Sequence, residues 1–130
     1  MEGVNFGNPN SEKNIEYGPM INKEGLNKVE KLVKSASKEG AEIITGGNAK
    51  MIEEGAYYEP TVIANCKQNM EIIRKEIFGP VLPVVSFGDL DEAIHFANDC
   101  DFGLTSSIFT TNIKTAMRAA NEIKFGETMI

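Results

Sequence analysis

Apolar positions along this chain alternate between helical spacing and short continuous runs, and the two patterns together set out its elements. Leu26, Val29, Val33 and Ala36 predict a helix from Lys23 to about Glu39, with Leu32 flanking the stripe. Asn22 is placed to cap it, Glu24 lies favourably in its first turn, and Gly40 is placed to end it. Ala41–Thr45 reads as a short apolar strand halted by Gly46-Gly47, and residues 48–59 read as a loop. Tyr57-Tyr58-Glu59-Pro60-Thr61-Val62 then leads into a strand through Ile63. Asn69–Lys75 is expected to form a turn or two of helix with Met70 and Ile73 on one side. The run Val81–Phe87 is apolar without alternation, as expected of a strand covered on both faces in a parallel sheet. Pro83 removes one ladder donor, so this strand is expected to lack a partner on that side.

From residue 89 onward the pattern becomes regular. Asp89 and Glu92 form a capping box ahead of a helix Leu90–Asn98, whose Leu90, Ala93, Ile94 and Ala97 share a face. Leu104–Thr110 is the next expected strand. Thr111 or Asn112 caps a second helix carrying Ile113, Ala116, Met117, Ala120 and Ile123. Gly126 ends that helix, and Glu127–Ile130 begins another strand. Strand and helix alternate as consecutive βαβ units with right-handed crossovers, which predicts an α/β fold with a mostly parallel sheet. Residues 1–21, polar and marked by Asn8-Pro9 and Gly18-Pro19, show no core pattern and read as an extended connector ahead of a domain over 22–130.

Composition narrows the function classes. An apolar content of 42% and a charged content of 25% over 130 residues suit a globular domain with a real core. The net charge of −6 supplies no phosphate-neutralising face, so no nucleic-acid partner is expected. The Lys and Glu residues interspersed through Lys23–Glu42 read as a solvated helix face. No run approaches the roughly 20 apolar residues that span a bilayer, so no membrane partner is expected. The opening MEGVNFGNPNSEKN lacks the basic-then-apolar character of a secretory signal, and a cytoplasmic location is the expectation.

Candidate chemistry concentrates between Glu71 and Phe87. The ionised carboxylate of Glu76 has only acceptor sites and can take both hydroxyls of a sugar diol. Phe78, two residues on, offers a flat apolar surface for a ring. Gly79 permits a close backbone approach or an unusual φ, and Pro80 fixes the direction of the strand that follows. By residue type alone the segment reads more readily as a loop-to-strand corner with a solvated Glu and a core Phe. Cys66 and Cys100 match no metal or disulfide pattern and read as free, buried, inert thiols. His95 falls off the apolar face of its helix and is expected to be exposed, without a catalytic role. Tyr57 and Tyr58 admit a base-stacking platform, but a strand with one ring in and one out is favoured.

Several short motifs, in order, give the corner a context. Glu76-Ile77-Phe78-Gly79-Pro80-Val81 resembles the E-x-F-G-P-V signature of the NAD(P)-dependent aldehyde dehydrogenases. Gly7-Asn8-Pro9 and Gly18-Pro19-Met20-Ile21, the segment EGAEIITGG, Tyr57–Val62, Asp91-Glu92-Ala93-Ile94 with Ala97-Asn98-Asp99, and Phe102–Thr110 resemble further family motifs, covering nearly the whole chain. The resemblance implies a three-layer α/β/α architecture and a bound NAD or NADP. It also implies that Glu76 accepts hydrogen bonds from the nicotinamide ribose while Phe78 packs against ribose and ring. Lys75 departs from the acidic residue common in the family before that Glu.

In the family a thiolate attacks the aldehyde, hydride passes to the nicotinamide, and a Glu-activated water cleaves the thioester. Neither cysteine here lies in the nucleophile motif, so no catalytic residue is assigned to this chain, and no metal site. The resemblance therefore implies a portion of the catalytic domain, cut at both ends and inactive alone, from a parent expected to be a homo-oligomer acting on an aldehyde. Phe125-Gly126-Glu127-Thr128 resembles the F-G-E-T of the family's lactaldehyde and glycolaldehyde dehydrogenases. Two alternatives stand beside this reading: a non-catalytic α/β module acting by association, and a CoA-acylating semialdehyde dehydrogenase, which this segment does not separate from hydrolysing relatives.

Overall fold

The computed structural model describes residues 3–10 and 14–130, and the chain divides into two compact units, Met1–Val85 and Ser86–Ile130. The part of the expected N-terminal connector at 1–2 and 11–13 lies outside the described residues. Helices and strands together form the expected α/β fold, with strands and helices alternating from the fourth strand onward.

The first unit is built on helix α1, Lys23–Lys38. The Asn22 side chain accepts the Gly25 amide at 2.8 Å, satisfying one of the amides a helix start leaves unpaired. At the other end Gly40 takes φ +98°, while the Gly40 and Ala41 amides donate to Ser37 and Ala36 at 3.2 and 3.0 Å. This is the Schellman closure, which only a residue tolerant of left-handed backbone makes without strain. Leu26, Val29, Leu32, Val33 and Ala36 are buried, so Leu32 belongs to the stripe rather than flanking it.

That stripe packs in one apolar cluster with Ala56, Tyr58, Ile63, Met70 and Ile72. Strands β1 (Glu42–Thr45), β4 (Thr61–Ala64) and β5 (Val81–Pro83) form a sheet in the order β1-β4-β5. The β1–β4 pair is antiparallel with a bulge between Ile43 and Thr45, and the β4–β5 pair is parallel, bridged by the single turn of α2, Glu71–Arg74. Gly46 makes the approach of β1 to β4 possible, because a Cβ there would lie 2.3 Å from the Pro60 carbonyl oxygen. The buried Thr61 hydroxyl accepts the Gly47 amide at 2.8 Å and donates to the Glu59 carbonyl at 2.7 Å.

Three further expectations need correction in this unit. Residues 48–59 are not a loop: β2 (Ala49–Ile52) and β3 (Gly55–Tyr58) pair as an antiparallel hairpin, with Glu53 at φ +52° in its turn. Tyr57 and Tyr58 are both buried, so neither the stacking platform nor the one-in, one-out arrangement holds. Tyr58 donates its hydroxyl to the Gly47 carbonyl, and Tyr57 lies near the Phe6 ring, itself stacked on Tyr17. Finally, β5 ends at Pro83 and is not covered on both faces, since Leu82 and Val84 are exposed while Val81, Pro83 and Val85 are half-buried.

In the second unit, Asp89 caps α3 (Leu90–Asn98) by accepting the Glu92 amide at 2.9 Å. The Glu92 carboxylate reaches back to the Gly88 amide at 2.6 Å, completing the reciprocal cap. Asn112, rather than Thr111, caps α4 (Ile113–Glu122), and β6 (Thr105–Ser107) pairs in parallel with β7 (Glu127–Met129). Arg118 of α4 binds Asp91 of α3 and its own Glu122. The Asn98 side chain joins the two helix ends, donating to the Glu122 carbonyl at 2.9 Å and accepting the Lys124 amide at 2.7 Å. The α4 face is rotated from the expected one: Ala116 and Ala119 are buried, whereas Ile113 and Met117 are exposed. Of the pairs described, β4–β5 and β6–β7 are parallel, and β1–β4 and β2–β3 antiparallel.

Burial pushes the Tyr58 hydroxyl from 10.0 up to about 12, with Glu30 and Glu59 adding to the effect; Tyr17, raised for the same reason and by Glu59, also reaches about 12. Each folded value lies above the unfolded one, so the protonated hydroxyls stabilise the fold fully below about pH 10, and that contribution is lost as pH rises towards about 12. Alkaline titration followed by tyrosinate absorbance and circular dichroism is expected to show Tyr58 ionising together with unfolding. Tyr58→Phe, which removes the titrating group, is expected to flatten the stability loss above pH 10. An unchanged alkaline slope would refute the assignment.

Candidate functional site

The segment 76–80 leaves α2 without regular structure and enters β5. Ile77 is the anchor: it is half-buried against the core cluster, while Glu76 before it and Phe78 after it are exposed. The carboxylate and the ring thus lie outside, with the aliphatic side chain between them turned in.

Phe78 is not the core residue that its type suggests, being 74% exposed. It also adopts φ +53°, a left-handed conformation that costs a bulky residue of order 1–3 kcal/mol and persists only where neighbours enforce it. Gly79 supplies the enforcement. It does not take the unusual φ; instead a Cβ at this position would fall 2.6 Å from Val29 Cγ2, so the backbone lies directly on the buried face of α1. Pro80 follows, its carbonyl accepting the Thr61 amide at 2.8 Å and locking the corner to β4. The two functions the sequence left as alternatives for Gly79 are divided between neighbours: Phe78 carries the strain and Gly79 the close approach.

Lys28, on the solvent side of α1, completes the corner. Its ammonium donates to the Glu76 carbonyl at 2.6 Å and lies 5.7 Å from the centre of the Phe78 ring, within cation–π range. Sequence reasoning missed this residue, because a lysine on a charged helix face carries no signal distinguishing it from its neighbours. Lys75 bonds to Glu71 at 2.6 Å, one helical turn back, and holds that carboxyl below the usual range; its charge is thereby engaged away from Glu76.

The arrangement can grip a diol with the Glu76 carboxylate and present the Phe78 ring to a planar group, but it holds no nucleophile. The Cys66 thiol is buried, is pushed up by that burial, and lies 3.6 Å from the Ile63 carbonyl. Cys100 is only half-buried, contrary to expectation, and lies against the Ala97 and Phe102 carbonyls at 3.3 and 3.2 Å. His95 is exposed, as expected, beside Phe96. No group of metal-binding side chains occurs among the described residues, and no described helix is long and apolar enough to cross a membrane.

Gly79→Ala is expected to destabilise the chain by about 1–3 kcal/mol, as overpacking does in a filled core. Thermal unfolding of Gly79→Ala, Val29→Ala and the double variant provides the check. If the contact is as described, the double variant loses less than the sum of the single ones.

The model of the aldehyde dehydrogenase family matches residues 1–130. The chain is 49% identical to lactaldehyde dehydrogenase of Escherichia coli strain K12 over 130 residues, covering 100% of the chain and 27% of that relative. The crystal structure of lactaldehyde dehydrogenase from Escherichia coli superposes with a TM-score of 0.94 at 50% identity, over 100% of this chain and 27% of that one. Betaine aldehyde dehydrogenase from Staphylococcus aureus, solved in complex with NAD+, superposes with a TM-score of 0.88 at 39% identity, over 98% of this chain and 26% of that one. The chain thus spans about a quarter of the length of the proteins it matches.

Proposed function

The chain belongs to the aldehyde dehydrogenase family, and we propose that it supplies the nicotinamide-ribose side of the cofactor site in a longer NAD(P)-dependent aldehyde dehydrogenase. The observation that carries this reading is the outward pairing of Glu76 and Phe78 about the anchored Ile77. A carboxylate that accepts a vicinal diol and a flat ring two residues away fit a nicotinamide riboside, the ring against Phe78 and the ribose hydroxyls on Glu76. NAD or NADP, when bound, supplies the acceptor for hydride leaving the substrate. The contribution of this chain is orientation: the corner is fixed on α1 and β4 before the cofactor arrives, so little freedom remains to be lost on binding.

The remaining chemistry lies on other segments. Thioester formation from an aldehyde needs an exposed thiolate with oxyanion donors and a base, and Cys66 and Cys100 are placed for neither. Residues 22–130 therefore act as part of a catalytic domain that is inactive in isolation. Apolar side chains left in water, among them Leu82, Leu104 and Phe109, support a domain that more polypeptide covers. The substrate proposed for the parent is lactaldehyde or a similar small hydroxyaldehyde, on the strength of Phe125-Gly126-Glu127-Thr128 and the relatedness to the Escherichia coli enzyme. A cytoplasmic, homo-oligomeric parent completes the proposal.

In the full-length enzyme, Glu76→Ala is expected to raise KM for the cofactor roughly 10–100-fold, as the loss of hydrogen bonds to a charged group implies, with little change in thermal stability. An unchanged KM for NAD+ and NADP+ would remove Glu76 from the site. The isolated 130-residue chain, mixed with lactaldehyde and either cofactor, is expected to form no NAD(P)H; turnover above the buffer rate would overturn the division of labour.

A further inference from the structure

Resting on that reading, we propose that Lys28 is a positioning residue of the cofactor site, holding the Glu76 carboxylate and the Phe78 ring in their binding orientation. Its ammonium makes both contacts at once, 2.6 Å to the Glu76 carbonyl oxygen and 5.7 Å to the Phe78 ring centre. The peptide group so held joins Glu76 to Ile77, and fixing its plane sets the direction in which the Glu76 side chain leaves the backbone. The cation against the aromatic face holds the ring of a residue whose backbone, at φ +53°, is already set by the seating of Gly79. The base from which Lys28 acts is rigid, since Val29, next to it on α1, has no exposed surface and carries Gly79 on its side chain.

A lysine bonded to a surface carbonyl is commonly worth little, because water competes for both partners. Two features set this one apart. It reaches residues 48 positions away in sequence, so it does nothing for its own helix. It also engages both members of the proposed ligand pair through the one ammonium, Glu76 at its backbone carbonyl and Phe78 at its ring.

The experiment is steady-state kinetics on the full-length enzyme with Lys28→Met, which keeps the aliphatic stem and removes the ammonium, beside Lys28→Arg, Glu76→Ala and the Lys28→Met/Glu76→Ala double variant. Lys28→Met is expected to raise the cofactor KM about tenfold while the aldehyde KM stays within about twofold and the melting temperature holds. Lys28→Arg, which still donates to a carbonyl and stacks on a ring, is expected to recover most of the loss. Because Lys28 acts through Glu76 and Phe78, the double variant is expected to lose less than the sum of the two single variants. Lys28→Met without effect, where Glu76→Ala weakens cofactor binding, overturns the positioning role and leaves the functional reading standing. Losses that add in the double variant also overturn it, in favour of direct contact between Lys28 and cofactor. If Glu76→Ala is itself without effect, the functional reading falls and this proposal with it.

Discussion

The seating of Gly79 on Val29 is the contact on which the geometry of this chain depends. Helix α1 has to bury its apolar stripe, and the corner between α2 and β5 has to cross that stripe to reach the sheet. Only a residue without a side chain lets the backbone pass at that distance. Once it passes there, Ile77 can reach the core, Pro80 meets Thr61, and Glu76 and Phe78 face outward. The outward pair is thereby produced by core packing, without a separate structural device.

Capping chemistry was the most legible part of the sequence. Asn22, Asp89 and Asn112 stand at helix starts, and Gly40 closes α1 through its positive φ. These signals are local: a side-chain oxygen or a missing Cβ acts on amides a few residues away, so the sequence contains both partners. The hairpin β2–β3 was hidden because its turn is made by Glu53-Glu54 instead of the Asn-Gly or Asp-Gly pairs that announce such turns. Burial of both adjacent tyrosines was hidden too, since the ring that covers Tyr57 comes from Phe6, far off in the chain.

The candidate site divides along the same line. Glu76 and Phe78 were found through resemblance to a motif, whereas residue type alone would have buried Phe78. What keeps that ring outside is its positive φ and the contact of the next residue with α1, neither of which is written in the segment itself. Lys28 is less legible still: it becomes part of the site only when α1 lies across the corner. In α4, periodicity marked the apolar residues but not which of them pack. Alanines at 116 and 119 take the closest approach because they permit it, and the larger Ile113 and Met117 remain outside.

Pro83 has a consequence for how this molecule meets copies of itself. Just beyond β5 the Val84 amide donates to the Ile63 carbonyl and the Val84 carbonyl accepts from the Cys66 amide, so residue 84 turns both polar groups towards β4 and the segment that follows it. Backbone groups alternate sides along a strand, and residue 83 therefore turns its own towards the outer margin. A proline there presents a carbonyl with no hydrogen to accompany it, and a foreign strand laid alongside would leave one of its own acceptors unmatched. This margin of the sheet is blunted against intermolecular zippering by one ring.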